Sequence, residues 1–303
     1  MKTLLLIFVL LFLCTQSWSD EYDRDYARSA AVFLQLPADA ATAALGTTGA
    51  AWSTDGGGHQ YNPALLSFVG GVKAGVMYCL MPLLQKHQAA EFAYKLPGNI
   101  VMDIFYDGYM VYNLEGRDNS GNLTEDFNFH DNALAIGLAG KTIPEFSYGI
   151  RARYLSAKLE NGISYGYGFD IGISYQPFPF LTLGISGLNI GSKVTWSTGH
   201  EDPVLPEGRT GVFFTFLENS LSFGGDLKTG KDLPVDGTVG AEYILFNSIA
   251  MRAGLTHFRD LDYSFGTGIR YNEFVIDYSF QRPSSEIGAA NRISITFIHN
   301  FEE

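Results

Sequence analysis

From Ser164 to Tyr175 the chain alternates without a break between two kinds of residue. Tyr165, Tyr167, Phe169, Ile171, Ile173 and Tyr175 share one parity, and Ser164, Gly166, Gly168, Asp170, Gly172 and Ser174 share the other. A period of two sends successive side chains to opposite faces of a β-strand. One face is apolar and ends in aromatic rings; the other is small and polar. That is the pattern of a strand with lipid outside and a polar lumen inside. A soluble, secreted β-sandwich is the competing reading, and it requires the Tyr165–Tyr175 face to be buried in a core.

The pattern recurs along the chain. Phe146, Tyr148, Ile150, Ala152 and Tyr154 oppose Ser147, Gly149, Arg151 and Arg153, and Tyr263, Phe265, Thr267, Ile269 and Tyr271 oppose Ser264, Gly266, Gly268 and Arg270. Such runs predict about fourteen strands, near 71–81, 87–97, 99–112, 129–142, 145–157, 162–176, 180–190, 208–217, 220–229, 237–246, 248–258, 263–272, 273–282 and 291–301. Most approach the roughly 9–11 residues a tilted strand needs to cross a bilayer. Tight turns are expected at Pro97 and Gly98, Ile143 and Pro144, Pro177 to Pro179, Glu218 and Asn219, Asn247, and Asn272 and Glu273. Longer loops are expected at Asn113 to Asn128, Gly191 to Glu207, Gly230 to Asp236 and Pro283 to Ala290. Short turns on the periplasmic side and longer loops outside are the habit of outer-membrane barrels. The fold class is therefore all-β: a closed antiparallel transmembrane β-barrel of about 14 strands with an N-terminal plug segment.

Met1 and Lys2, the apolar run Leu4 to Leu13 and the small residues around Trp18 form a leader at residues 1–19, so the mature chain is expected to begin near Asp20. A lipidated Cys14 is the alternative, but Leu11, Phe12 and Leu13 lack the small residues expected upstream of such a cysteine. Without the leader, Cys79 is the one cysteine of the 303-residue chain, so no disulfide framework can hold an exported fold. Charged residues make up only 17%, below the roughly 25% of a soluble domain. The net charge of −12 argues against nucleic acid as a partner. The expected location is the outer membrane, with lipid around the wall.

Residues 20–69 do not fit the strand rhythm of the barrel at 70–303. Ala27 to Leu36 has helical character, and a small-residue run from Ala38 to Ala51 leads to Asp55, Gly56, Gly57 and Gly58. A plug folded into the lumen is favoured over a tail packed below the barrel, because Ala and Gly suit close packing. The inward parity also carries charges, among them Lys73, Glu91, Asp103, Asp107, Arg151, Arg153, Asp170, Asp226, Lys228, Glu242, Arg252, Arg270, Asp277 and Arg292. Arg151 and Arg153 are the candidates for gripping an anionic head group, while mutual pairing of these mixed charges is the favoured alternative.

An enzyme is not expected. His257 and His299 fall on the apolar face or its rim, no serine-centred elbow is present, and no His, Asp and Glu spacing suits a metal. Asp55 to Gly58 lacks the lysine of a phosphate cradle, so no cofactor is expected.

Several stretches, in order, resemble a known family. Ala30 to Pro37 leads into Ala43 to Gly46 and then Tyr61 to Leu66; Leu183 to Gly191 precedes Asp202 to Pro206 and Arg209; Gly240 to Tyr243 precedes Met251 to Gly254; Asp277, Tyr278 and Asn291 to Ser294 close the chain. Together they are similar to the PorV/PorQ family of outer-membrane proteins, which belongs with FadL-type barrels, over nearly the whole mature chain. The resemblance implies a fourteen-stranded barrel with a plug, and it matches Asn62, Pro63 and Ala64 to an element of the plug in FadL-type transporters. It implies passage of a hydrophobic small-molecule ligand such as a long-chain fatty acid or, in PorV-type relatives, an accessory role with secretion-machinery proteins. Residue chemistry alone reads Asn62 to Ala64 as a turn that caps the plug.

Overall fold

The computed structural model describes residues 29–118, 120–230, 233–256, 261–282 and 288–301. The expected leader at 1–19 and His257 lie outside the described residues. Fourteen long strands close into a ring: β1 Gly71–Leu80, β2 Gln85–Leu96, β3 Ile100–Leu114, β4 Phe127–Ile143, β5 Phe146–Leu159, β6 Gly162–Phe178, β7 Leu181–Trp196, β9 Glu207–Phe216, β10 Leu221–Gly230, β11 Leu233–Leu245, β12 Ile249–Thr256, β13 Asp262–Tyr271, β14 Phe274–Arg282 and β15 Ala290–Asn300. A three-residue strand, β8 (Glu201–Pro203), folds back on the end of β7. Each long strand runs antiparallel to its neighbours, and β1 joins β15 from Gly71 opposite Asn300 to Leu80 opposite Asn291. Closure leaves no sheet edge, which in hydrocarbon would cost several kcal/mol for each unpaired backbone group.

The alternation read from β6 holds residue by residue. Ser164, Gly166, Gly168, Asp170, Gly172 and Ser174 are buried, and Tyr165 to Tyr175 on the other parity are exposed. The outward residues form an apolar belt far larger than a soluble surface carries, so the sandwich reading is excluded. Aromatic rings edge this belt. Phe178, Phe180, Phe216 and Phe223 follow one another at one rim, with ring centroids 5.4, 6.2 and 5.6 Å apart. Tyr154 and Tyr165 stack at 6.1 Å toward the other rim. Among the described residues no helix is long and apolar enough to cross a membrane; the strands do so.

The ends of β2–β3, β4–β5, β6–β7, β9–β10, β11–β12 and β13–β14 are joined by tight turns beside the start of β1, here the turn end. The opposite, loop end carries the 115–126 connection between β3 and β4. Two expectations need correction there. The span Gly191 to Glu207 is not an open loop, because β7 continues to Trp196 and β8 pairs with it from Lys193 to Thr195. Gly230 to Asp236 is mostly strand, with Lys228 paired to Asp236. Beyond the lipid both faces of a ribbon meet water, so pairing continues while apolar alternation fades. The hairpins β1–β2 and β5–β6 are also tight at this end, so the short–long rhythm is incomplete.

Residues 29–69 lie against the inner wall. They form a 3-10 turn at Val32–Gln35, a five-residue helix α1 at Ala40–Ala44, and 3-10 turns at Thr54–Gly56 and Pro63–Phe68. The helical character expected up to Leu36 is thus realised as a single turn, whose leading Ala31 sits in the left-handed region at φ 53° with no side-chain cap. This irregular backbone carries polar groups that must find partners, and inward side chains of the strands supply them. Asp226 accepts from the N–H groups of Gly49 and Ala50, both at 2.8 Å. Thr256 donates to the Gly46 carbonyl at 2.6 Å, Ser264 to Ala44 at 3.0 Å and Ser186 to Tyr61 at 2.6 Å. Inward glycines give the room. A Cβ at Gly184 would fall on the Ala50 carbonyl, and one at Gly254 on the Gly46 nitrogen.

Candidate ligand-binding site

Most of the charges expected on the inward parity are paired, with a nearby strand or with the N-terminal segment. Arg151, 1% exposed, donates to Asp103 Oδ2 at 2.6 Å, to the His59 carbonyl at 3.1 Å and to His59 Nδ1 at 2.7 Å. A guanidinium can only donate, so Nδ1 accepts and the His59 proton sits on Nε2. That Nε2 donates to Glu91 at 2.5 Å, and Glu91 also meets Lys73 at 3.1 Å. The result is a belt in the order Lys73, Glu91, His59, Arg151, Asp103, in which two cations balance two anions around a neutral ring. Arg153 holds Asp170 through Nε at 2.8 Å, and Asp170 in turn accepts from the Asn189 N–H at 2.9 Å. Across the barrel Arg252 bridges Glu242 at 2.6 Å and Asp277 at 2.5 Å, while Arg209 pairs with Glu207 and lies 4.0 Å over the Tyr61 ring. Taking these charges out of water is costly, and pairing offsets that cost.

Asn62, Pro63 and Ala64 start the last 3-10 turn of the N-terminal segment. The Asn62 side chain accepts from the Ala64 N–H at 3.1 Å and donates to the carbonyls of Ala50 at 2.7 Å and Ile173 at 3.0 Å. Asn at the cap and Pro at the first position are the residues such a start prefers. One side chain therefore ties two parts of the segment to β6. Of the sequence-predicted site residues, Arg151 meets the segment through His59, Arg153 stays on the wall, and none of the five lines the apolar cavity at the loop end.

That cavity, about 390 Å³, opens at the loop end. Its floor is Ala31, Val32, Phe33 and Leu36 of the N-terminal segment, and its walls include Tyr109, Phe129, Val194 and Trp196. Phe33 and Leu34 pack with Ala133, Leu155, Val194 and Val204, which fixes the floor against β4, β5 and β7. The rim is tied down as well: the Ala30 N–H donates to Pro203 at 2.9 Å, and Trp196 Nε1 donates to Asp202 at 2.7 Å. A chamber of this size with an apolar lining and a few polar groups suits one small hydrophobic molecule. A second cavity, about 540 Å³, lies at the turn end and is lined by Asp39, Lys73, Glu91, Glu242, Arg252 and Asp277 among others. Its lining mixes these charges with apolar side chains such as Leu45, Trp52, Phe213 and Ile244, so it is the more polar of the two cavities.

Sequence reading missed the chamber. Parity does send Asp131 and Ser164 inward, but which residues share one level depends on strand register. The two inward histidines, His59 and His87, were also missed; His87 lies buried against Asp107 at 2.5 Å.

A closed fourteen-stranded ring with a lipid-facing belt defines a transmembrane β-barrel. No family model and no curated protein matches the sequence, so the likeness to PorV/PorQ proteins stays one of short stretches. Solved structures match the fold. CymD, a monoaromatic hydrocarbon channel, gives a TM-score of 0.64 at 13% identity, covering 88% of this chain and 98% of its own. The P. putida toluene transporter TodX gives 0.64 at 12% identity, covering 87% and 99%. A Pseudomonas aeruginosa FadL homologue gives 0.57 at 12% identity, covering 86% and 98%. At such identities the likeness is one of fold alone: a closed transmembrane barrel of the same architecture as these channels.

Proposed function

We propose that this protein is an outer-membrane channel that admits small hydrophobic compounds, with the loop-end chamber as its entry site and residues 29–69 as its plug. The observation that carries the reading is the apolar chamber itself, built at the outer mouth by the plug's Val32, Phe33 and Leu36 and by the wall's Tyr109, Phe129 and Trp196. The fold neighbours support it, since those of like architecture are described as hydrocarbon channels and toluene transporters. The sequence resemblance adds long-chain fatty acids to the class. In this reading Asn62, Pro63 and Ala64 anchor the plug, Arg151 braces it against the wall through His59, and Arg153 orders the wall by holding Asp170. The protein acts without chemistry, by partition into the chamber and release past the plug. No feature among the described residues favours the secretion-accessory alternative.

The test is direct binding and vesicle uptake of a small hydrophobic probe by the refolded barrel. Saturable binding that is lost when Val194 is replaced by Trp is the expected result. Absence of binding to the wild-type protein would overturn the reading. Deletion of residues 20–60 addresses the plug: uptake at the full wild-type rate would count against gating.

A further inference from the structure

Five adjacent strands each give one residue to a single row across the chamber wall. Tyr109 on β3 faces Asp131 on β4, Asp131 faces Ala157 on β5, Ala157 faces Ser164 on β6, and Ser164 faces Trp196 on β7. All five line the apolar cavity. The row is aromatic at its two ends and polar, small, polar in its middle.

That middle is unusual for an apolar chamber. Asp131 is 7% exposed and Ser164 is fully buried, and the Ser164 hydroxyl has no hydrogen-bond partner among the described residues. A buried polar atom left without a partner is a cost that a ligand can remove. The two residues stand two strand spacings apart, about 10 Å between their backbones. Only the methyl group of Ala157 stands between them in the row, and all three residues line the cavity. Asp107, on the neighbouring strand, is already held by His87. The charge balance is one-sided too: among the described lining residues Asp131 and Asp202 are acidic, and no lysine or arginine is present.

We propose that the chamber selects uncharged apolar molecules that carry a hydroxyl, phenols and alkyl alcohols, and discriminates against carboxylates. This rests on the channel reading above, narrows its ligand class and sets aside the fatty acids that the sequence resemblance adds. The hydroxyl sits over Ala157, donates to the Asp131 carboxylate and accepts from the Ser164 hydroxyl. A carboxylate in the same place meets like charge in a low-dielectric space, with no cation to offset it. A plain hydrocarbon fits but leaves the Ser164 hydroxyl unpartnered, and sites built for a hydroxyl reject the analogue that lacks one.

Three probes of one shape separate these cases: 4-ethylphenol, ethylbenzene and 4-ethylbenzoate at pH 9, above the range in which the buried Asp131 titrates. Binding is read from Trp196 fluorescence in nanodisc-embedded protein carrying Trp52→Phe, with saturation-transfer NMR as a second measure. The phenol is expected to bind about tenfold or more tightly than either analogue. Asp131→Asn keeps the shape and removes the charge, so the gap between phenol and benzoate should narrow. Ser164→Ala should weaken the phenol and leave ethylbenzene unchanged. Equal binding of all three probes to the wild-type chamber would overturn the selectivity while leaving the channel reading intact. Failure of all three to bind would remove both. Tighter binding of the benzoate, or discrimination unaltered in both variants, would also sink the proposal.

Discussion

The two cavities of this barrel are built on the same inward parity and yet differ in kind. At the loop end about 390 Å³ is enclosed by Phe33, Tyr109, Phe129, Val194 and Trp196; at the turn end about 540 Å³ is enclosed by Asp39, Lys73, Glu91, Glu242, Arg252 and Asp277. Between them runs the belt of Lys73, Glu91, His59, Arg151 and Asp103. The difference shows that inward parity does not fix polarity: depth along the strand does, together with what the N-terminal segment presents. Its Val32, Phe33 and Leu36 line the outer chamber, whereas its Asp39 and Asp55 line the inner one.

The strongest way to break this division is to cut the belt. Arg151→Ala leaves Asp103 and His59 buried without their donor, and removing one partner of a buried pair costs about 3–5 kcal/mol. A matching fall in the urea midpoint of the barrel in detergent is expected. An unchanged midpoint would mean that the belt does not separate the cavities energetically.

A smaller loss should follow from moving the segment that forms both floors. Gly184→Val puts a side chain where the Ala50 carbonyl lies, and overpacking of this kind costs about 1–3 kcal/mol. Protease access at residues 29–69 should rise while the ring of strands persists. Retained protection in the variant would show that the segment can shift freely inside the wall.

Filling the cavities one at a time sharpens the contrast further. Ala157→Phe should fill the outer chamber and weaken a small aromatic ligand about tenfold, equivalent to about 1.4 kcal/mol. Thr215→Phe in the inner cavity should leave binding unchanged. Equal losses from both, in calorimetric titrations, would erase the functional distinction between the two ends.

How far the sequence foretells this contrast depends on the range of the interactions involved. The barrel was legible because alternation is local: each residue of β6 carries its own vote for inside or outside. The pairing of Arg153 with Asp170 follows from the same parity on adjacent strands. The extension of β7 to Trp196 was not legible, since Ser192, Lys193 and Thr195 lie beyond the lipid rim and no longer alternate by polarity. The chamber was hidden for a different reason. Tyr109, Asp131, Ala157, Ser164 and Trp196 share a level only through four successive registers, and no short window of sequence contains them. The contact of Arg151 with His59 likewise joins residues 92 positions apart.

The smallest expected effect concerns the inner floor alone. Asp39 caps α1, accepting from the Thr42 N–H at 2.7 Å and from its hydroxyl at 2.5 Å. Burial pushes the Asp39 carboxyl above its ordinary range, against those two hydrogen bonds and the nearby Lys73, which pull it down. A carboxyl whose folded pKa is raised binds its proton more tightly in the folded state. Its contribution is therefore largest in acid and is lost as the pH rises from the unfolded value, about 4, through the folded one. Asn is as good a cap as Asp and carries no such titration, whereas Ala forfeits the cap at about 1 kcal/mol. The urea midpoint of Asp39→Asn should thus fall less than that of the wild type as the pH is raised from 3 to 7, while Asp39→Ala should be weaker at every pH. Ligand binding at the outer chamber should not change in either variant, because α1 does not line it. A steeper pH response in Asp39→Asn would reverse the sign of the argument, and a loss of outer binding would show that the two cavities are coupled through the floor they share.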